Sequence, residues 1–470
     1  MTTINRREFV KNSVYSAGFI GLSACASNHT EAQRSDSNRS PSLTAEGYGR
    51  LQSDPLGRMR LPKGFSYKVF SQAGETMDDG FIVPGAHDGM DAFPGPNGLT
   101  LLVRNHEMKP LDSSDNPFSK STAWKDLDTS KLYDAGKSGT QLHGGTTTLV
   151  FDTRTQELKR HYLSLAGTIR NCSGGSTPWG SWITCEETTV RAGEKLHKDH
   201  GYNFEVPANY QMGLAEPFAL KEMGRFNHEA VAVHPANGVV YQTEDRPDGL
   251  IYRYIPNQRG QLSKGGKLQA LAIKGSPSAD TRNWAEMNQS AFPKNEPVKV
   301  EWIDIHDYES PNDDMRYVGH KAGAARFARG EGMFYGNGEI YFACTNGGTK
   351  KYGQIFRYKP SPNEGLAGEE NDLGILELFI ESQDLELLKA CDNLTVAPWG
   401  DVVICEDDGG SSAIVGITRE GKMYKIAHVD MDSEVAGGCF SPDGTTFFVN
   451  IQRNPGQTLA ITGPWRSRIA

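Results

Sequence analysis

A short strand–turn–strand unit recurs along this chain, and it constrains the fold more than any other sequence feature. Six short turns that contain Pro or Gly separate apolar runs, and they close at Gly98, Gly180, Gly238, Gly338, Gly400 and Gly444. The runs that follow, such as VVYQTED and DVVICEDD, are rich in β-branched and aromatic residues, as strands are. A propeller blade takes roughly 40–50 residues, so the longer intervals leave room for inserted loops. The sequence therefore predicts an all-β protein, a six-bladed β-propeller with inserted loops and short helices, one candidate helix being within residues 374–390.

The first 45 residues differ from the rest of the chain. Residues 1–25 carry Arg6 and Arg7 before a weakly apolar stretch, which is the pattern of a twin-arginine export signal. Its end, LSAC, resembles a lipobox, so Cys25 is either the lipidated N-terminus of a periplasmic, outer-membrane or cell-surface lipoprotein, or an incidental residue of a plain export signal. Residues 26–45 are polar and predict a flexible tether. No Pro/Ser-rich linker follows, so residues 46–470 are predicted to be a single β-propeller catalytic domain.

The charge balance excludes one class of partner. The chain has 49 Lys and Arg against 58 Asp and Glu, a net charge of −9, so it lacks the basic excess that displaces counterions from nucleic acid. It also has no apolar run long enough to span a membrane. We therefore expect a monomer that acts on small molecules, binds no nucleic acid, and touches a membrane only through a possible lipid on Cys25.

Polar residues keep a fixed distance from the turn glycines. Seven to eleven residues before each turn lie His87, Asp88 and Asp91; Asn171 and Cys172; Asn227, His228 and Glu229; Arg329 and Glu331; Asp392 and Asn393; and Glu434. Six residues after each turn lie Arg104, Glu186, Glu244, Cys344, Glu406 and Asn450. Because the two strands of each unit are antiparallel and the first strands of propeller blades surround one axis, both sets are expected at one end of a central funnel.

This pattern predicts a metal centre. Clustered carboxylates repel one another unless a cation neutralises them, and oxygen ligands favour calcium, manganese or ferric iron. Cys172 would add a thiolate and tilt one site toward a transition metal. Arg329 and Arg104 would supply cationic forks for a phosphate or carboxylate, which together with metal suits phosphoryl transfer.

The same residues leave other functions open. One is a calcium-dependent propeller lactonase or esterase, or a phosphodiesterase, with no need for a thiolate ligand. Another is a non-catalytic propeller that binds a polysaccharide or a protein, although such a scaffold has no reason to concentrate repelling charge on its axis.

Several segments resemble the PhoX family of secreted alkaline phosphatases. They are VRNHE (103–107), GTIRNCSGGSTPWGSWITCEE (167–187), GRFNHEAVAVHP (224–235), Arg329 with Glu331, ACDNLTVAPWGDVVICEDDGG (390–410) and EVAGGCFSPDGTTFFVNIQ (434–452). The resemblance implies a six-bladed propeller that hydrolyses phosphomonoesters and whose funnel holds calcium and ferric iron.

The resemblance also implies roles for single residues. It makes Arg329 the phosphate contact, which with Glu331 and Cys172 forms the implied catalytic set. The implied metal ligands are Cys172, Glu187 or its neighbour Glu186, Glu244 and Glu331, and plausible calcium ligands are Asp392, Asn393, Glu406, Asp407 and Glu434.

Overall fold

The computed structural model describes residues 44–110, 116–119, 121, 123–287, 289–453 and 455–467. The export signal, Cys25 and the tether up to residue 43 lie outside these residues. The described residues belong to one compact unit. Thr44 and Ala45, the last described part of the predicted tether, contact Met423, to whose carbonyl oxygen the Ala45 N–H donates a hydrogen bond of 2.9 Å.

The described residues form antiparallel strands in five sheets. The first sheet contains β4 (His87–Pro94), β5 (Thr100–His106), β6 (Gly144–Asp152) and β7 (Glu157–Thr168). The second contains β8 (Asn171–Ser176), β9 (Ser181–Glu186) and β10 (Asn203–Pro207). The third contains β11 (His228–Val233), β12 (Val240–Glu244), β13 (Ile251–Pro256), β14 (Gly266–Ile273), β15 (Val298–Asp304), β16 (Gly330–Gly336), β17 (Glu339–Cys344), β18 (Gln354–Lys359) and β19 (Ile375–Glu381).

The other two sheets take up the N-terminal strands. One contains β1 (Leu51–Gln52), β2 (Met59–Pro62), β20 (Cys391–Val396), β21 (Val402–Glu406), β22 (Ser412–Ile417) and β23 (Met423–Val429). The other contains β3 (Ser66–Gln72), β24 (Val435–Phe440), β25 (Thr446–Ile451) and β26 (Gln457–Thr462). The strand β3 lies beside β26, the last strand, so an N-terminal strand completes the C-terminal sheet.

Helical structure is sparse in the described part of the chain. The α-helix is α1 (Met315–Lys321). Short 3-10 helices lie at Pro96–Gly98, Ala123–Asp126, Thr129–Lys131, Lys221–Met223, Leu262–Lys264, Glu369–Asn371 and Trp465–Ser467. The segment 374–390 was predicted to hold a short helix, but Ile375–Glu381 within it form the strand β19. No helix among the described residues is long and apolar enough to cross a membrane.

Six buried strands surround the centre of the molecule: β4, β8, β11, β16, β20 and β24. Each packs against two others of the set, β4 against β8 and β24, β11 against β8 and β16, and β20 against β16 and β24. All six turn glycines identified in the sequence follow these strands and have positive φ, from 69° to 97°. The fold is therefore all-β and propeller-like, as predicted.

The sheets are not six separate units, however. Val298 and Lys299 of β15 pair with Leu376 and Ile375 of β19, which joins two strand–turn–strand units into a nine-stranded sheet. Apolar side chains fill the spaces between neighbouring sheets, as where Ile183 of β9 packs with Val231 and Val240 of the next unit. This packing holds the six central strands in place around the centre of the molecule.

Candidate metal centre

Each of the six central strands has a register irregularity close to its start. The pairing with the second strand of the unit shifts between His87 and Met90, Asn171 and Gly174, His228 and Val231, Gly330 and Met333, Cys391 and Leu394, and Ala436 and Cys439. Bulges of this kind bend a strand and re-aim its side chains, and they are common beside active sites. The second residue of five of these strands is Asp88, Cys172, Glu229, Glu331 or Asp392, and Glu434 directly precedes the sixth.

A strained backbone precedes four of these strands. Ala86, Arg170, Arg329 and Ala390 have φ values of 46°, 50°, 53° and 42°, and each is the residue directly before the strand. The left-handed region costs a residue other than Gly roughly 1–2 kcal/mol, so the surrounding fold must hold it in place. In each of the four cases, the left-handed residue turns the chain sharply into the start of the strand.

The result is a continuous cluster of metal-ligating side chains. Three groups each offer ligand atoms that all lie within 4.8 Å of one another: Cys172 with Glu187 and Glu229, Glu229 with Glu331 and Asp392, and Asp392 with Asp407 and Glu434. Glu229 belongs to the first two groups and Asp392 to the last two. The donors lie up to 262 residues apart in the sequence, from Cys172 to Glu434.

The electrostatics of the cluster favour bound cations. Burial raises the pKa of Glu229, Glu331 and Asp392 well above their ordinary values, and the neighbouring carboxylates raise each of them further. Burial, followed by Glu229 and Glu187, likewise raises the pKa of the Cys172 thiol. Cations would replace these protons and remove the repulsion, and six carboxylates with one thiol are a donor set that fits hard cations together with a transition metal.

Arg329 lies against this cluster. Its Nε and Nη2 donate to the two carboxylate oxygens of Asp245 at 2.7 and 2.8 Å, and Nη2 also donates to Glu331 at 2.7 Å. The side chain is 25% exposed, so the guanidinium is open to solvent on one side. Arg329, the predicted anion-binding residue, and Glu331, a predicted metal ligand, are therefore neighbours.

The structure brings six of the sequence-predicted ligands into the cluster and leaves the carboxylates of Glu186, Glu244 and Glu406 out of it. The six are Cys172, Glu187, Glu331, Asp392, Asp407 and Glu434. Asn393 lies on the same strand as Asp392, but its amide bonds with the Ser173 hydroxyl at 3.1 Å and the Gly437 N–H at 3.0 Å.

Glu186, Glu244 and Glu406 share a different role. Each ends the second strand of its unit, and its carboxylate accepts N–H groups of the adjoining backbone: Ile169 and Gly201 for Glu186, Leu250 for Glu244, and Lys389 and Ala413 for Glu406. Burial lowers the pKa of His200, but Glu186 at 2.6 Å and Asp134 together raise it to about 9. These carboxylates hold loops rather than join the three groups.

The prediction that Arg104 lies at the site as an anion fork is wrong. The side chain is fully buried within its sheet, where Nη1 donates to Thr458 at 2.6 Å and Ser71 at 3.1 Å and Nη2 donates to Thr147 at 3.1 Å. Burial lowers its pKa to about 9. Arg104 ties strands of two sheets together and has no open face for a ligand.

Sequence reasoning placed Glu229 at the funnel but not among the metal ligands, and it missed Asp245 and Arg170 as site residues. Glu229 joins two of the groups, and Asp245 holds Arg329. Arg170 pairs with Glu107 at 2.7 Å and with Glu187. The signal was present, because Glu187, Asp245 and Asp407 all lie seven residues after a turn glycine, and Arg170 and Arg329 both directly precede a central strand.

Comparison with known proteins agrees with this architecture. The family model described as alkaline phosphatase PhoX matches residues 46–456. The solved structure of Pseudomonas fluorescens PhoX in complex with vanadate, a transition state analogue, aligns with a TM-score of 0.64 and 17% identity over 87% of this chain and 96% of that one. A gluconolactonase of Xanthomonas campestris aligns with a TM-score of only 0.40 and 11% identity over 86% of this chain and 97% of its own. No curated protein matches the chain. The match to the family model over most of the sequence places this chain in the PhoX alkaline phosphatase family.

Proposed function

We propose that this protein is a metal-dependent alkaline phosphatase that hydrolyses phosphomonoesters and releases inorganic phosphate. One observation carries the proposal beyond family membership: the three ligand groups form one continuous acidic cluster with the Arg329 guanidinium at 2.7 Å from one of its members, Glu331. A cation cluster beside an arginine is the arrangement that stabilises a transferring phosphoryl group.

The donor types support a division of the metals. The group of Cys172, Glu187 and Glu229 contains the thiol and suits ferric iron, whereas the two groups that contain Asp392 offer only oxygen and suit calcium. In this assignment the ligands are Cys172, Glu187, Glu229, Glu331, Asp392, Asp407 and Glu434. Glu186, Glu244 and Glu406 stabilise the loops around them.

The chain's own residues have defined tasks in this reaction. Cations held by the cluster supply positive charge to the phosphoryl oxygens. Arg329 binds one side of the phosphoryl group through the donors that Asp245 leaves open, and Asp245 fixes the orientation of the guanidinium through two hydrogen bonds. Glu331 is both a candidate ligand and an acceptor for Arg329, so it sets the distance between the metal centre and the arginine.

Four further properties belong to the proposal. The ring of six central strands supports six blades, two of them fused through β15 and β19. The sequence pattern supports export by the twin-arginine route, a lipid on Cys25, and a monomeric catalytic domain at residues 46–470.

Metal removal tests the function directly. Protein exported by its own route would be analysed for iron and calcium, stripped with chelator, and assayed on phenyl phosphate before and after addition of each metal. We expect activity to disappear on stripping and to return only with the metals that elemental analysis found. Full activity in protein shown to be metal-free would refute the proposal.

A substrate panel separates the alternatives. Phenyl phosphate, its diester and a sugar lactone would be compared at equal enzyme and metal concentration. Monoester hydrolysis at least roughly 10²-fold faster than the other two, about 2.7 kcal/mol in transition-state binding, is expected. A lactonase or a phosphodiesterase would reverse this order.

Two cysteine variants test the thiol. Cys172→Ser should lose iron and any visible charge-transfer colour, because a hydroxyl is a poor ligand where a thiolate is required. Cys185→Ser is the matched control, since Cys185 is equally buried in the same apolar cluster but lies outside the three groups. Equal iron content in both variants would remove Cys172 from the ligand set.

A further inference from the structure

Two arginines occupy the same place in two units of the fold. Arg170 directly precedes β8 and Arg329 directly precedes β16, and both have left-handed φ values, 50° and 53°. This backbone region disfavours any residue with a Cβ, and at both positions the fold holds an arginine in it. The shared conformation starts the two side chains in the same way relative to their strands.

The two guanidiniums also make the same kind of contacts. Arg329 bridges Asp245 and the ligand candidate Glu331, and Arg170 bridges Glu107 and the ligand candidate Glu187. Each therefore has one carboxylate of the cluster and one carboxylate beside it. The pairing fixes both guanidiniums at the edge of the cluster.

The arginines flank Glu229. Glu187 and Glu229 have ligand atoms within 4.8 Å of each other, and so have Glu229 and Glu331. The sequence of contacts therefore runs from Arg170 through Glu187, Glu229 and Glu331 to Arg329, with one arginine at each end.

Both arginines keep donors available. Within the described part of the chain, Nη1 of neither guanidinium takes part in a hydrogen bond, and neither atom is a buried unpartnered one. The exposed fractions of the side chains are alike, 22% for Arg170 and 25% for Arg329. Open donors of this kind suit the oxygens of a phosphate.

We propose that Arg170 is a second phosphoryl-binding residue, which holds the side of the phosphoryl group opposite to Arg329 and favours monoesters over diesters. The proposal rests on the phosphatase function proposed above. A monoester dianion has three unesterified oxygens and can occupy both arginines and the metal centre at once. A diester has two, so it must leave one of these contacts unmade.

The competing explanation is that Arg170 only neutralises Glu107 and Glu187. Arg170→Lys keeps the charge but removes the planar fork, and Arg170→Gln removes both. Arg357→Gln is the matched control: Arg357 is 29% exposed and pairs with Glu377 at 2.9 Å on β18 and β19, and Glu377 belongs to none of the three groups. Metal content, the inhibition constant of inorganic phosphate, and kcat and KM for phenyl phosphate and its diester would be measured for all three.

In Arg170→Lys we expect full metal content. The inhibition constant of phosphate and the KM for the monoester should both rise about tenfold or more, as for the loss of a charge-assisted hydrogen bond. The KM for the diester should stay almost unchanged. Arg170→Gln should show a larger effect and Arg357→Gln none. The proposal would be overturned if metal-loaded Arg170→Lys bound phosphate as tightly as the wild type does. It would also be overturned if Arg170→Lys and Arg170→Gln lost metal but their metal-loaded fraction bound phosphate with unchanged affinity. Wild-type protein that neither binds phosphate nor hydrolyses monoesters would instead refute the phosphatase function.

Discussion

Neighbouring acidic residues have opposite roles in this protein. Glu186 and Glu187 are adjacent, yet Glu187 lies in a ligand group, whereas Glu186 accepts backbone N–H groups of nearby loops. The same holds for Glu406 and Asp407. Successive side chains of a strand point to opposite faces. Of two adjacent carboxylates at the end of a strand, one therefore faces the cluster and the other faces the backbone of nearby loops.

Glu229→Gln tests the residue that joins two groups. The variant should lose metal and about 10²-fold or more in kcat, by analogy with the removal of one stabilising group from an active site. In the stripped state its melting temperature should be higher than that of the wild type, because one of the mutually repelling carboxylates is gone.

The control for this variant is Glu377→Gln, which removes a carboxylate that pairs with Arg357 outside the cluster. Elemental analysis, steady-state kinetics and thermal unfolding of loaded and stripped protein provide the three readouts. Retention of metal and activity in Glu229→Gln would contradict the assignment.

Asp91 gives a prediction on pH. It is buried on β4 and lines a cavity of about 20 Å³ with Ser173 and Asn393, and burial raises its pKa from 3.8 to about 6. The folded state therefore binds the proton more tightly than the unfolded state does, so stability falls as pH rises from about 4 to above 6. In metal-loaded protein, Asp91→Asn should be more stable than the wild type at pH 8 by up to about 3 kcal/mol, a gain that disappears below pH 4.

Asp54 provides a control of opposite sign. Burial raises the pKa of Asp54, but hydrogen bonds from the Tyr67 hydroxyl and three backbone N–H groups together lower it to about 2. Its stabilisation is complete above pH 4 and is lost as pH falls toward 2. Thermal unfolding across this range should therefore show Asp54→Asn less stable than the wild type at pH 8. A pH-independent gain in Asp91→Asn would show that its charge is not the cause.

At the scale of the element, a recurring strand start builds the site. A left-handed residue precedes four of the six central strands, and a register shift follows within the first residues of all six. Glycines then let these strands approach closely: a Cβ on Gly175 would collide with the Val231 carbonyl oxygen of the neighbouring strand. The strand start orients the side chains of the cluster, and the close approach of the strands brings their potential ligand atoms within 4.8 Å of one another in each group.

Ala390→Gly tests the strain in this element. Ala390 has a φ of 42° directly before β20, a conformation that Gly adopts without penalty, so the variant should gain about 1 kcal/mol. Ala397→Gly is the control, because Ala397 is buried and is not among the positive-φ residues, so it should lose about 1 kcal/mol. Unfolding midpoints of the metal-loaded proteins measure both, and shifts in the same direction would contradict the strain argument.

At the scale of the whole molecule, the pairing of β3 with β26 closes the ring of sheets. It runs from Gln72 opposite Gln457 to Ser66 opposite Thr462, where the two hydroxyl oxygens are 3.3 Å apart. These residues come from the N-terminal and C-terminal parts of the described chain, so opening of the ring of sheets at this seam would separate β3 from β26, the last strand.

A disulfide across this seam tests its importance. The double variant Ser66→Cys with Thr462→Cys, once oxidised, should raise the free energy of unfolding by roughly 2–4 kcal/mol, because it closes a very long loop in the unfolded chain. The six cysteines that the structure describes are buried and unpaired, which limits mispairing. The reduced form and the two single variants are the controls, and an oxidised protein no more resistant to heat than the reduced one would contradict the prediction.

The sequence by itself determined the strand–turn–strand repeat, the turns and the all-β fold, since these depend on local residue types and spacing. With the family resemblance it also pointed to most of the side chains that meet in the cluster, including Cys172. Only the tertiary structure decided which of two adjacent carboxylates enters the cluster, that Arg104 is buried inside a sheet, and that Arg170 pairs with Glu187 of the cluster. The physical reason is that successive side chains of a strand point to opposite faces, so the packing of the strand decides which of two neighbours faces the cluster. The distance between cluster side chains from different sheets is set by packing between residues far apart in the chain.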